Sequence, residues 1–232
     1  MDFKFHDSKG SIKRFCGVEL EISDIKNHDK VYEVVNKWGG QIGEDGSIDG
    51  ENTAEIRTAP ARGKLFIQQI KEICGVLNEV GAEVNESCGL HVHVDARDFT
   101  SEDLFKVALL WEKYEPTMFR KVAKHRRNNS YCAKMGNVLS SIVKTQNELP
   151  MNKIDRFREE FNDLDKNCSL NFNPILEFGT IENRMLEGCI DADKIIKWAE
   201  INSKMIDFCK KVKFDKIENI KVISSRAFSL RP

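Results

Sequence analysis

Four short stretches of this sequence set charged or imidazole side chains two residues apart, inside runs that otherwise alternate apolar and polar residues. Residues two apart on a β-strand share a face. Glu19 and Glu21 therefore project together, away from Val18 and Leu20; Glu55 and Arg57 project together, away from Ile56. The same alternation groups His91, His93 and Asp95 opposite Leu90, Val92 and Val94, and Glu182 with Arg184 opposite Ile181 and Met185. Each pair alone has an ordinary reading as a solvated surface or as an ion pair worth about 0–1 kcal/mol. Together they point to a site, because carboxylates are depleted in strands and repel one another on a shared surface unless a cation or an arginine offsets them. Glutamate oxygens with one imidazole suit a hard divalent cation, Mg²⁺ or Mn²⁺. Zinc competes through Cys88, His91 and His93, although Cys88 and His91 are three apart and face opposite ways on a regular strand.

Two further stretches carry chemistry. The run 125–131, His-Arg-Arg-Asn-Asn-Ser-Tyr, concentrates guanidinium groups beside hydrogen-bonding side chains. It reads as a solvated basic loop or as a clamp for phosphate or carboxylate, whose geometry guanidinium matches. The glycine-dense run 43–47 holds Glu44 and Asp45 and reads otherwise as a turn. The phosphate loop GxxxxGK[ST], the GxGxxG fingerprint and the GxSxG elbow do not occur.

The elements that would position these residues follow from periodicity. Alternation predicts strands over 14–22, 41–48, 52–59, 89–96, 169–173 and 179–186, with a weaker one over 82–85. Helical spacing predicts helices over 27–38, 65–80, from 104 onward until Pro116 breaks or restarts it, over 137–149 and 153–161, and from 191. Thr100 to Asp103 resembles a capping box ahead of the third of these. Short connections between strands favour a mainly antiparallel sheet with helices on one face: α+β, one domain over 1–232.

Composition bounds the function. The chain has 232 residues, 36 Lys+Arg against 37 Asp+Glu, and a net charge of −1, which disfavours a general nucleic-acid binder. No apolar run approaches a bilayer span, and the N-terminus has no secretory pattern, so no membrane partner is expected. Seven cysteines, an odd number without a CxxC pair, read as reduced thiols of a cytoplasmic protein.

The motifs, taken in order, resemble the amidoligase family, a branch of the glutamine synthetase and glutamate–cysteine ligase superfamily of carboxylate–amine ligases. The resemblance rests on Gly17-Val18-Glu19-Leu20-Glu21, Glu44-Asp45-Gly46-Ser47, Glu55-Ile56-Arg57-Thr58-Ala59-Pro60 and Cys88-Gly89-Leu90-His91-Val92-His93-Val94-Asp95. It continues through Arg126-Arg127 to Tyr131-Cys132, then Leu170-Asn171-Phe172 and Gly179-Thr180-Ile181-Glu182-Asn183-Arg184, and covers about 15–200. It implies a glutamine synthetase-like fold, a curved sheet with the active site on its concave face. The implied activity is ATP- and Mg²⁺-dependent amide or isopeptide bond formation through an acyl phosphate, with Mn²⁺ as an alternative ion.

Carried over by motif, the metal ligands are Glu19, Glu21, Glu55, His91 and Glu182. His93, Arg57, Arg184 and Arg127 would contact the nucleotide, Arg184, Arg126 and Arg127 would stabilise the transferring phosphoryl group or hold the acid, and Asp45 would orient the amine or a metal-bound water. The implied partners are a small-molecule or peptide carboxylate and an amine, with self-association left open. Asn183 stands where relatives often carry an aromatic, and the tail 214–232 is basic. The alternatives are a metal-dependent hydrolase or nuclease using the same cluster, or a non-catalytic scaffold. Glu21 and Glu182 are expected to face solvent or metal, so that replacing either leaves folding nearly intact.

Overall fold

The computed structural model describes residues 5–135, 166–213 and 216–217. These residues are α+β, with six strands and five α-helices. The strands are β1 (Cys16–Ile22), β2 (Gln41–Gly43), β3 (Ala54–Arg57), β4 (Gly89–Asp95), β5 (Leu170–Asn171) and β6 (Thr180–Glu187). The helices are α1 (His28–Lys37), α2 (Gly63–Glu79), α3 (Ser101–Phe119), α4 (Pro174–Glu177) and α5 (Ala192–Lys211). The strand registers within each part of the chain are antiparallel. The helices expected over 137–149 and 153–161, and most of the basic tail, lie outside the described residues. No described helix is long and apolar enough to cross a membrane.

The chain divides into two compact units, one built on 5–94 and 186–203, the other on 95–135, 166–185 and 204–213. In the first, four strands run in the order β2-β3-β1-β4. Alternation sends Cys16, Val18, Leu20 and Ile22 of β1, Ala54 and Ile56 of β3, and Leu90, Val92 and Val94 of β4 inward, and all are fully buried. Phe66, Ile70, Ile73 and Leu77 of α2 and Val31 and Val35 of α1 complete this core. Asn27 caps α1, its side chain accepting from the Lys30 N–H at 3.1 Å.

Two expected strands shrink here. β2 stops at Gly43 because Asp45 closes a turn, its Oδ1 accepting from the Ser47 N–H at 2.8 Å and the Ser47 hydroxyl at 2.7 Å. The segment 82–85 makes a bridge rather than a strand, between Asp24 and Glu83.

In the second unit, α3 starts with the expected capping box: the Asp103 N–H donates to Thr100 Oγ1 at 3.2 Å and the Thr100 N–H to Asp103 Oδ2 at 3.0 Å. The helix runs through Pro116 to Phe119; proline removes one N–H donor, and this one sits in the last turn. A buried polar network joins α3 to β5. Trp111 Nε1–H donates to Ser169 Oγ at 2.9 Å, Ser169 Oγ–H donates to Glu115 Oε1 at 2.5 Å, and the Met135 N–H donates to the same oxygen at 2.9 Å. Burial pushes the Glu115 carboxyl up, against these donors. Ser169→Ala would leave Trp111 Nε1 and Glu115 short of a partner, so a loss of about 1–3 kcal/mol is expected in denaturant unfolding. β5 pairs with β6, Asn171 opposite Glu182. β6 follows Gly179, whose φ of 68° is left-handed and whose carbonyl accepts from the Ala96 N–H at 2.8 Å.

Candidate functional site

The register of the first unit gathers its polar face. β1 and β3 set Glu19 opposite Arg57 and Glu21 opposite Glu55; β1 and β4 set Glu19 opposite His91 and Gly17 opposite His93. Glu19 is the hub. His91 Nδ1 lies 3.1 Å from its Oε2, His93 Nε2 lies 3.3 Å from its Oε1, and Arg57 Nε lies 3.9 Å from Oε1. The other nitrogen of His91, Nε2, lies 3.3 Å from Glu21 Oε1. Arg57 Nη2 pairs with Glu55, and the Gly89 N–H donates to Glu21 Oε2 at 2.5 Å. Glu21, Glu55 and His91 are all buried.

The electrostatics are those of a surplus of negative charge. Burial pushes Glu19 up, but hydrogen bonds from His91 and His93 outweigh it and hold the carboxyl far below the usual range. Glu55 is raised to about 7, by burial first and then by the charge of Glu19, with Asp45 adding to it against Arg57 and His91. Asp45, read from sequence as an amine-orienting residue, thus acts on this cluster. Ligand atoms of Glu19, Glu55 and His91 all lie within 4.8 Å of one another. Two carboxylates and an imidazole, with both nitrogens of that imidazole turned to carboxylate oxygens, are a donor set that a hard divalent cation fits. No group of this kind among the described residues includes a cysteine. Cys88 precedes β4 and its thiol turns to Asn85 Oδ1, 3.7 Å away.

In the second unit, Glu182 is buried and held at both oxygens. Arg184 Nη1 donates to Oε1 at 2.6 Å and Asn171 Nδ2 donates to Oε2 at 2.7 Å. Arg184 also donates from Nε to the Tyr131 carbonyl at 3.3 Å. Its backbone is fixed as well: its N–H donates to the Ser169 carbonyl at 3.0 Å, and its carbonyl accepts from Arg126 Nη2 at 2.7 Å. The basic run forms two 3₁₀ turns, Lys124–Asn128 and Ser130–Cys132. Within it Arg126 is fully buried, and Arg127 donates from Nε and Nη2 to the Val122 carbonyl at 3.2 and 3.1 Å. Both arginines therefore hold backbone carbonyls, and an anion contact would fall to the donors these bonds leave. Asp95 is engaged by Arg97 in a two-pronged pair at 2.7 and 2.9 Å.

A family described as "Putative amidoligase enzyme" matches residues 27–206. The chain belongs to this amidoligase family. The matched segment contains Asp45, Glu55, Arg57, His91, His93, Asn171, Glu182 and Arg184 and begins after Glu19 and Glu21. No curated protein matches the chain.

Of the two surroundings expected for Glu21 and Glu182 in this amidoligase, solvent or metal, open solvent does not apply: both are buried and carry specific donors. Replacing either therefore disturbs packing and hydrogen bonding as well as chemistry. Sequence reading also gave Asn171 no role. Its signal was present: Leu170 and Phe172 flank it as buried apolar residues, so alternation sets Asn171 on the opposite face.

Proposed function

We propose that this amidoligase is an ATP- and Mg²⁺-dependent carboxylate–amine ligase with a glutamine synthetase-like fold. The observation that carries the reading is the cluster of Glu19, Glu55 and His91, whose ligand atoms lie within 4.8 Å of one another and in which burial, then the charge of Glu19, raises Glu55 to about 7, in a chain of the amidoligase family. Glu19, Glu55 and His91, with Glu21 behind His91, would hold a divalent cation in the first unit, and the family motif reads Glu182 as a cation ligand in the second. When bound, that cation neutralises charge on the ATP phosphates. His93 and Arg57 would bind the nucleotide, with Arg126 and Arg127 shaping the basic turn beside Arg184. An oxygen of the substrate carboxylate attacks the γ-phosphorus and the bond to ADP breaks, giving an acyl phosphate. Arg184, already oriented by Glu182 and the Tyr131 carbonyl, would stabilise the charge on the transferring group. The amine, oriented by Asp45, then displaces phosphate from the acyl carbon, and its proton passes to the departing phosphate. Free buried thiols suit the reducing cytoplasm.

The test is to incubate the protein with ATP, Mg²⁺ and mixed amino acids or peptides, following ADP and new amides by mass spectrometry. The expected result is ADP release that requires both acid and amine, with one amide formed per ADP. ADP release indifferent to amine would make the protein an ATPase, and metal-dependent cleavage of a phosphodiester or amide without ATP would make it a hydrolase.

A further inference from the structure

We propose that Asn171 is a positioning residue for Glu182, fixing the orientation in which that carboxylate meets a divalent cation. The inference rests on the cation-dependent reading above. Asn171 and Glu182 are direct antiparallel partners on β5 and β6, both buried, with Asn171 Nδ2 2.7 Å from Glu182 Oε2. The amide cannot turn over without cost, because its Oδ1 accepts from the Asn173 N–H at 3.0 Å. A backbone group therefore dictates that Asn171 presents a donor, not an oxygen, to Glu182. A donor repels a cation, so Asn171 acts through Glu182 and does not ligate.

The second Glu182 oxygen receives Arg184 Nη1 at 2.6 Å. Two donors on two different oxygens fix both the position and the plane of the carboxylate, and a carboxylate oxygen can accept more than one contact. β5 is two residues long, so its ladder alone offers little rigidity. Leu170 and Phe172, buried on either side, fix the backbone from which Asn171 reaches. The arrangement is the outer support that metal-ligating carboxylates commonly have, whose removal typically costs 10–100-fold in affinity.

Mn²⁺ affinity, measured by electron paramagnetic resonance and calorimetry without nucleotide, tests this in wild type, Asn171→Ala, Glu182→Gln and the double variant. Asn171→Ala is expected to weaken Mn²⁺ binding about 10-fold, and to raise the Mg²⁺ requirement of turnover while leaving the KM for the acid unchanged. In the Glu182→Gln background, removing Asn171 should weaken Mn²⁺ no further, since the partner it orients is gone. If Asn171→Ala does not fold, Asn171→Leu, close in size and without the donor, is measured in its place. Wild-type Mn²⁺ affinity in the Asn171 variant, or a weakening that persists undiminished without the Glu182 charge, overturns the proposal while the cation reading stands. Absence of Mn²⁺ binding by wild type, or unchanged binding by Glu182→Gln, overturns the cation role of Glu182 and the proposal with it.

Discussion

Glu19→Gln should lower divalent-cation affinity and turnover by at least about 100-fold. Glutamine keeps the shape of the hub but removes the charge that His91, His93 and Arg57 converge on. It also removes the charge that, after burial, does most to raise Glu55, so Glu55 should titrate nearer its ordinary 4.5 while burial still holds it up. Isothermal titration with Mn²⁺ and steady-state assays measure the first effect. Cation affinity within a few-fold of wild type would deny Glu19 its place at the centre.

A pH dependence follows from the same cluster. The folded-state pKa of Glu55, about 7, lies above its ordinary 4.5. The folded protein thus holds that proton more tightly than the unfolded chain does. This contribution to stability is complete below about pH 4.5 and is lost as pH rises through about 7. A shift of that size corresponds to at most about 3 kcal/mol, or several degrees in Tm. Glu19 has the opposite sign: its folded pKa is depressed, so its contribution is present above its ordinary value and fades as pH falls. Between pH 5 and 8 the metal-free protein should therefore lose stability through Glu55. Mg²⁺ or Mn²⁺ should restore more of it at the alkaline end, where Glu55 is ionised, than at pH 5. Melting curves in chelator and in cation measure both; a flat profile in chelator would contradict the placement of Glu55 beside Glu19.

Arg184→Met should reduce kcat by about 100- to 1000-fold, the usual cost of deleting a donor aimed at developing charge. The same change leaves the buried Glu182 without its charged partner, which costs about 3–5 kcal/mol. Adding Glu182→Gln should recover part of that stability without recovering kcat, because a neutral amide needs no counter-charge. Arg184→Lys should fall between, since one ammonium cannot reproduce a fork that reaches both the Glu182 carboxylate and the Tyr131 carbonyl. Denaturant unfolding beside single-turnover kinetics separates the two effects. A folded Arg184→Met enzyme with wild-type kcat would remove Arg184 from the chemistry.

Much of this was legible in the sequence where a periodic signal was strong. Alternation over 14–22 contains β1 (Cys16–Ile22), and the same rule names which of its residues share the polar face. The spacing of Glu55 and Arg57, and of His91 and His93, predicts a common surface without the register; only pairing shows that Glu19 lies opposite both Arg57 and His91. Burial of that charged surface was not legible, because it depends on what packs around the strands. The direction of a long side chain was hidden as well: nothing in 125–131 says that Arg126 turns inward to the Arg184 carbonyl. The shortened β2 was readable in principle, since an aspartate two residues before a serine commonly closes a turn.

The seven cysteines, counted at first only to exclude a disulfide framework, are all free and all buried. Burial pushes the thiols of Cys74 and Cys209 up to about 12, and those of Cys88, Cys132 and Cys189 also rise with burial. Thiolate is the reactive form, so the folded chain offers little to an alkylating reagent. With thiols in β1, α2, α5 and the connections of both units, an opening at any of these places uncovers its own sulfur. Residue-resolved alkylation thus converts this protein into its own stability gauge, reporting which unit opens first without any introduced label.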